Sequence, residues 1–248
     1  MSIKNKVFSA AATVLLVGGA IAAGTMSANA ATPQCGEHCI DIYNKKLGTA
    51  DHPRFVETVH QGVAKVGQPT VLQRASSSNP AEDFLPRVGK VSDFYKAHLV
   101  SSEVNRHYGD LRAAQIQYAP FGKASGLCVG LVTTAYQNEG LTLQSCGLPG
   151  KTVWILDTKD SPATAADNYF PLVNGSTSDF RHPFAMTYQS HAQRGLGHWG
   201  HGRGNHGHWS HSRSNKHLPA QIQVRKLMGN PAHVPDSQLW GTNLGVVK

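Results

Sequence analysis

The chain has 248 residues, 40% of them hydrophobic and 15% charged, with a formal net charge of +8. That length suits one large domain or two small ones, with enough apolar chain to bury a core. Beyond the first 30 residues no stretch approaches 18 consecutive apolar residues, which excludes a multi-spanning membrane protein built from helices.

Residues 1–30 read as a secretory signal peptide. Lys4 and Lys6 form a positive n-region, Val7 to Ala23 an apolar h-region, and Ala28-Asn29-Ala30 a small-residue cleavage site. The mature chain, residues 31–248, is expected to start at Ala31 and to be secreted. Removing two lysines leaves 21 basic minus 15 acidic residues, a net +6. Between Asp179 and Asp236 there is no acid but there are seven Lys or Arg residues, so the remainder is close to neutral. The basicity belongs to one region.

Export places the four cysteines in an oxidising setting. Cys35 and Cys39 are close enough to join locally, and secretion favours that disulfide. A zinc site using His38 between them is the alternative. Cys128 and Cys146 sit on two short strand-like runs, where adjacent strands bring them within bridging distance.

Along the mature chain, short apolar runs bounded by Gly, Pro or Asn recur. Strands are expected at Cys39 to Tyr43, Phe55 to Val59, Pro69 to Gln73 and Ala113 to Ala119. Others are expected at Leu127 to Val132, Leu141 to Gln144, Thr152 to Leu156, Tyr169 to Val173, Phe184 to Tyr188 and Ile222 to Leu227. Between Val91 and Leu111 the apolar residues Phe94, Val100, Val104, Tyr108 and Leu111 fit either a short amphipathic helix or an irregular insertion. Long helix-period segments are lacking, so the body is expected to be all-β.

These runs stack into three weak repeats closed by Phe84, Trp154 and Trp240. Gln238-Leu239-Trp240 carries a Gln-x-Trp in full, Thr152-Val153-Trp154 keeps the Trp, and Glu82-Asp83-Phe84 keeps an aromatic. With the Cys128/Cys146 pair, this pattern resembles the ricin-B-like β-trefoil lectins. The chain is also similar to a group of secreted bacterial proteins without an assigned activity, through Tyr118-Ala-Pro-Phe-Gly122, Gly126-Leu-Cys-Val-Gly-Leu131 and Lys151-Thr-Val-Trp-Ile-Leu-Asp157. The resemblance implies a single β-trefoil-like domain with three pseudo-repeats and long inserted loops. It further implies sugar binding through an acid after a first cysteine and an aromatic for the sugar face. On that pattern repeat two lacks its acid, having Val129 and Gly130 there. Repeat one offers Asp41 and Tyr43, and repeat three offers Tyr188.

Residues 191–217 hold seven of the 14 histidines, spaced by Gly and Ser, with Trp199 and Trp209. Such a tract cannot form a core and is expected to be a disordered insertion. His198, His201, His206, His208 and His211 have spacings that suit Zn2+, Ni2+ or Cu2+. Its cationic composition alternatively suits anionic surfaces. Gly202-Arg-Gly204-Asn-His-Gly207 follows no strand and opens no helix, so it does not signal dinucleotide binding. No hydrolase or nucleotide motif is found, and no other cofactor is implied. The expectation is therefore a secreted, monomeric, non-catalytic binder of an extracellular glycan or cell-wall polymer. The alternatives are a metal-binding or surface-adhering protein acting through 191–217, or a secreted hydrolase whose site forms from distant residues.

Overall fold

A computed structural model describes residues 39–47, 55–76, 78–159, 168–189, 220–228 and 233–242. The leader, Cys35 and the 191–217 tract lie outside the described residues. Among those described, no helix is long and apolar enough to cross a membrane.

Twelve strands fall into three groups of four. The first group is β1 (Ile42–Asn44), β2 (Phe55–Val59), β3 (Thr70–Arg74) and β4 (Phe84–Lys90). The second is β5 (Arg112–Tyr118), β6 (Leu127–Gly130), β7 (Thr142–Ser145) and β8 (Trp154–Leu156). The third is β9 (Leu172–Asn174), β10 (Phe184–Tyr188), β11 (Ala220–Lys226) and β12 (Trp240–Thr242).

First and fourth strands close a barrel. β12 pairs with β1, β4 with β5, β5 with β8 and β8 with β9, all antiparallel. The bridges Ile40↔Phe84 and Phe170↔Trp240 complete the ring. Second and third strands form the hairpins β2/β3, β6/β7 and β10/β11. These interlock through Pro69↔Thr142, Gly140↔Gln223 and Val71↔Gln221, one step of the same register repeated three times. A six-stranded barrel capped by three hairpins in three-fold register is a β-trefoil. Closure also removes free sheet edges.

The closing aromatics explain why the repeats hold one register. Phe84, Trp154 and Trp240 are fully buried in one cluster with Ile42, Ile116, Leu172, Val129 and Met186. The indole N–H of Trp154 donates to Val129 O at 2.9 Å, and that of Trp240 to Met186 O at 2.8 Å. Each bond ties a barrel strand to its own hairpin and satisfies a buried polar group. Two residues earlier in each repeat a polar side chain makes a second tie. Gln238 Oε1 accepts from Met228 N, and Glu82 Oε2 accepts from Ser76 N, both at 3.0 Å and both two residues past a hairpin strand. Thr152 Oγ1 plays the part in repeat two, donating to Cys146 O at 3.3 Å. The Cys128–Cys146 disulfide forms as expected, with Cα atoms 4.9 Å apart. Cys39 is also disulfide-bonded.

The segment open to two interpretations from sequence folds as two short helices, α1 (Val91–Lys96) and α2 (Ser102–Tyr108). They connect the two strands of the long β4–β5 ladder, which runs seven pairs from Phe84↔Tyr118 to Lys90↔Arg112. Val91, Phe94, Val100, Val104 and Tyr108 build a second core against Val153, Ile155 and Val173. α2 starts at Ser101, whose Oγ accepts from Val104 N at 3.2 Å. The Asn174-Gly-Ser sequon is no glycan acceptor in the folded chain, because Asn174 is fully buried and its amide donates to Lys151 O.

Repeat one breaks the symmetry inside the core. Register equates Glu57 with Val129 and Met186, and Thr70 with Leu141 and Ile222. Glu57 is fully buried, and among the described residues neither carboxyl oxygen has a partner in hydrogen-bond geometry. Burial pushes its pKa up to about 7, with nearby Thr70 acting weakly in the opposite direction. Glu57 is therefore protonated in the folded state more readily than in the unfolded one. Its contribution to stability is full below the unfolded value of 4.5 and is lost as pH rises through about 7. Glu57→Met, which installs the residue repeat three uses, should raise stability by on the order of 3 kcal/mol more at pH 8 than at pH 4. Urea unfolding at the two pH values checks this, and an equal gain at both would show that the carboxyl does not titrate with folding.

Candidate functional site

The helical insertion meets two turns of the trefoil body and leaves an open cleft of about 480 Å³. Val100, Ser101 and Glu103 line it from the helical insertion, Pro149 and Gly150 from one turn, and Gly175 through Ser178 with Phe180 from the other. Gly150 N donates to Leu99 O at 2.6 Å and Gly175 N to Val153 O at 2.8 Å, so both turns are fixed to the second core. Gly150 has φ +70°, and a Cβ there would stand 3.0 Å from Ser176 Cα, so both backbone conformation and space favour glycine.

The lining also carries hydroxyls, two of them held by bonds within the fold. Ser176 Oγ donates to Asn174 Oδ1 and accepts from Ala135 N, and Thr177 Oγ1 accepts from Phe184 N. Phe180 lies on His107 with ring centroids 4.8 Å apart and planes 26° apart, and meets Tyr108 edge-on. The stack fixes an apolar ring at the mouth of the cleft. Glu103 is the one charged residue in the lining, exposed and paired loosely with Arg106 at 3.9 Å. Its own backbone N–H and the Ser101 and Ser102 hydroxyls hold its pKa below the usual carboxylate value, so it is an anion at neutral pH. Apolar ring, hydroxyls and one fixed anion suit a polyhydroxylated, uncharged or cationic ligand.

The three residues expected to touch a sugar are placed differently. Asp41 and Tyr43 are buried at β1, and the Tyr43 hydroxyl donates to Thr242 O at 3.1 Å. Tyr188 is half-buried on β10, a strand that does not pair with β1. The expected equivalence of Asp41 with the position following Cys128 does not hold. Cys128 is on the second strand of its repeat, where register equates it with Val56, whereas Asp41 precedes the first strand and equates with Gln115. The five histidines His198, His201, His206, His208 and His211 lie outside the described residues. Among the described residues no group of three His, Cys, Asp or Glu side chains is arranged to hold a metal ion.

Asp41 instead joins Glu82 and Asp83 in a buried acidic set between β1 and β4. Burial, then the charges of Glu82 and Asp83, push the Asp41 pKa up to about 7. Glu82 is raised as well, by burial, against the hydrogen bonds it accepts from Ser76 and Asn79. Asp83 Oδ2 accepts from Phe121 N at 2.9 Å. Sequence reasoning missed the cleft because its members come from three separate segments, and no spacing of Ser101, Glu103, Ser176 and Phe180 signals that they meet.

No protein-family model matches the chain, and no curated protein is similar to it in sequence. Solved structures similar to it include a designed three-fold symmetric protein, ThreeFoil, at 11% identity and TM-score 0.47, covering 83% of this chain and 98% of that one. A mosquitocidal holotoxin shows 10% identity and TM-score 0.45, covering 82% of this chain and 17% of that one. The Pmt1–Pmt2 protein O-mannosyltransferase complex of S. cerevisiae, bound to the sugar donor, shows 9% identity and TM-score 0.38, covering 82% and 24%. The fold assignment rests on the strand pairing above.

Raised carboxylate pKa values set the direction of pH dependence. The contribution of Asp41 is fully present below its unfolded value of 3.8 and is lost as pH rises through about 7. The melting temperature should therefore fall between pH 5 and pH 8, and Asp41→Asn should flatten that fall. A melting series in which the variant and the original chain decline equally would remove Asp41 from the cause.

Proposed function

We propose that the protein is a secreted, non-catalytic binder of an extracellular glycan or cell-wall polymer, with the cleft between α2 and the 149–150 and 175–180 turns as its binding site. The observation that carries this is the convergence of the Phe180 ring, the Ser101, Ser176 and Ser178 hydroxyls and the Glu103 carboxylate in one cleft of ligand size. A sugar presents an apolar face to a ring and hydroxyls to a polar lining, which matches that distribution. Glu103 narrows the class to neutral or amino sugars, since an anionic polymer would meet a like charge. Catalysis by paired carboxylates needs a second acid, and among the described residues the cleft lining supplies only Glu103.

A second proposal concerns the composition of residues 191–217, where seven histidines and a net positive charge favour divalent metals or an anionic polymer. Zn2+, Ni2+ and Cu2+ are its candidate ions. The two proposals separate cleanly in a pull-down with insoluble cell-wall polysaccharide, with and without EDTA. Under the first, Glu103→Gln and Phe180→Ala each weaken binding about tenfold, about 1.4 kcal/mol, while deletion of 191–217 leaves it intact. Glu103 is exposed, so its variant should melt like the original chain. Binding that survives both cleft variants and vanishes with the tract would transfer the function to the histidines.

A further inference from the structure

At the far end of the β4–β5 ladder from the helices, three turns stand side by side. They are His60-Gln61-Gly62, Pro80-Ala81-Glu82 and Pro120-Phe121-Gly122. The Tyr118 hydroxyl donates to Gly62 O at 3.0 Å, and a methyl on Gly62 would stand 3.6 Å from Ala81 Cβ. Phe121 N donates to Asp83, the residue directly after the middle turn. The turns thus form one connected surface.

Phe121 is the most exposed large apolar residue among those described, at 73%. It also has φ +56° and ψ +32°, the left-handed conformation that an aromatic residue avoids and Asn or Gly accepts. An exposed ring in an unfavourable backbone conformation costs stability twice. The conformation is held by the hydrogen bond to the fully buried Asp83 and by Gly122 N donating to Ala119 O at 2.8 Å. Neither bond uses the ring. No packing in the described core accounts for Phe at this position, so its side chain serves something outside the fold.

The neighbouring exposed residues indicate what that is. Val63 and Val66 project from the adjoining turn at 45% and 56% exposure. Lys65, between those valines in sequence, and Lys123, directly after the Phe121 turn, are exposed, and the acids of the middle turn, Glu82 and Asp83, are buried. An upright ring, two valines and two lysines on convex turns, with no exposed acid among them, match an anionic lipid surface: the apolar tips enter the headgroup boundary and the lysines meet lipid phosphates. We infer that this group of turns is an attachment surface for anionic lipid membranes, distinct from the cleft.

Vesicle co-sedimentation of the full chain at pH 8 and low salt tests this, comparing phosphatidylglycerol/phosphatidylcholine vesicles with phosphatidylcholine alone. The chain should bind the anionic vesicles and not the neutral ones. Phe121→Asn should weaken partitioning about tenfold or more, and Lys65→Glu/Lys123→Glu should weaken it with loss of salt dependence. Tyr95→Asn, an exposed aromatic on α1 at the other end of the ladder, should bind as the original chain does. Phe121→Asn should melt at the same or a higher temperature, since Asn accepts the left-handed turn. Undiminished vesicle binding by Phe121→Asn, binding that depends only on residues 191–217, or a large drop in its melting temperature would each overturn the inference. Because the cleft is untouched, this result is independent of the fate of the glycan proposal.

Discussion

The bond from each buried indole to a hairpin carbonyl is the constraint on which the rest of the molecule depends. Trp154 to Val129 and Trp240 to Met186 lock barrel strand to cap strand at symmetric positions. An indole N–H inside a dry core must find an acceptor or lose the full cost of its desolvation, roughly 1–3 kcal/mol. A register slip of one residue would remove that acceptor and also turn Ile42, Ile116 and Leu172 out of the core. With register fixed this way, the turns between strands are free to vary, and both surfaces of functional interest are built from turns.

Repeat one departs from this arrangement, and its departures are linked. Its closing aromatic is Phe84, which has no N–H to satisfy, and the residue equivalent to Val129 and Met186 is Glu57. Where the other repeats have Thr152 and Gln238, it has Glu82, and beside it Asp83 replaces Val153 and Leu239. Hydrocarbon is thus exchanged for carboxyl groups along one side of the barrel, and burial makes most of them better proton acceptors when folded. That side is also where Asp83 holds the Phe121 turn. Proton uptake and the shape of the exposed turn are therefore supported by neighbouring groups.

Much of the fold was legible because the relevant signals are local. Short alternating runs located ten of the twelve strands among the described residues, missing β4 and β12 and setting β1 and β9 too early, and the aromatic positions 84, 154 and 240 marked equivalent places in the three repeats. Cys128 and Cys146 could be paired because their strands are neighbours in sequence. What failed was the phase within repeat one. Cys39-Ile-Asp-Ile-Tyr43 and Leu127-Cys-Val-Gly130 both read as a cysteine entering a strand, yet one enters the first strand of a repeat and the other is in the second. Local alternation cannot tell strand one from strand two, since both bury one face. The cleft was illegible for a different reason: Ser101, Gly150, Ser176 and Phe180 meet only because two helices are inserted where β4 turns into β5.

The geometry of that ladder also organises the two proposed surfaces. Its seven pairs span about 20 Å, with Phe84↔Tyr118 at one end and Lys90↔Arg112 at the other. Phe121 follows the first end within three residues of Tyr118, and α1 begins immediately after the second. A two-stranded ribbon therefore separates the lysine-bearing Phe121 turn from the helices that bring Glu103 to the cleft. The turns on the cleft's other side, 149–150 and 175–178, are the register counterparts of 79–80 and 119–122, because Trp154↔Asn174 repeats Phe84↔Tyr118. The same pair of trefoil turns thus carries two surfaces of different chemistry, and what distinguishes the cleft is the helical insertion laid over one copy of it.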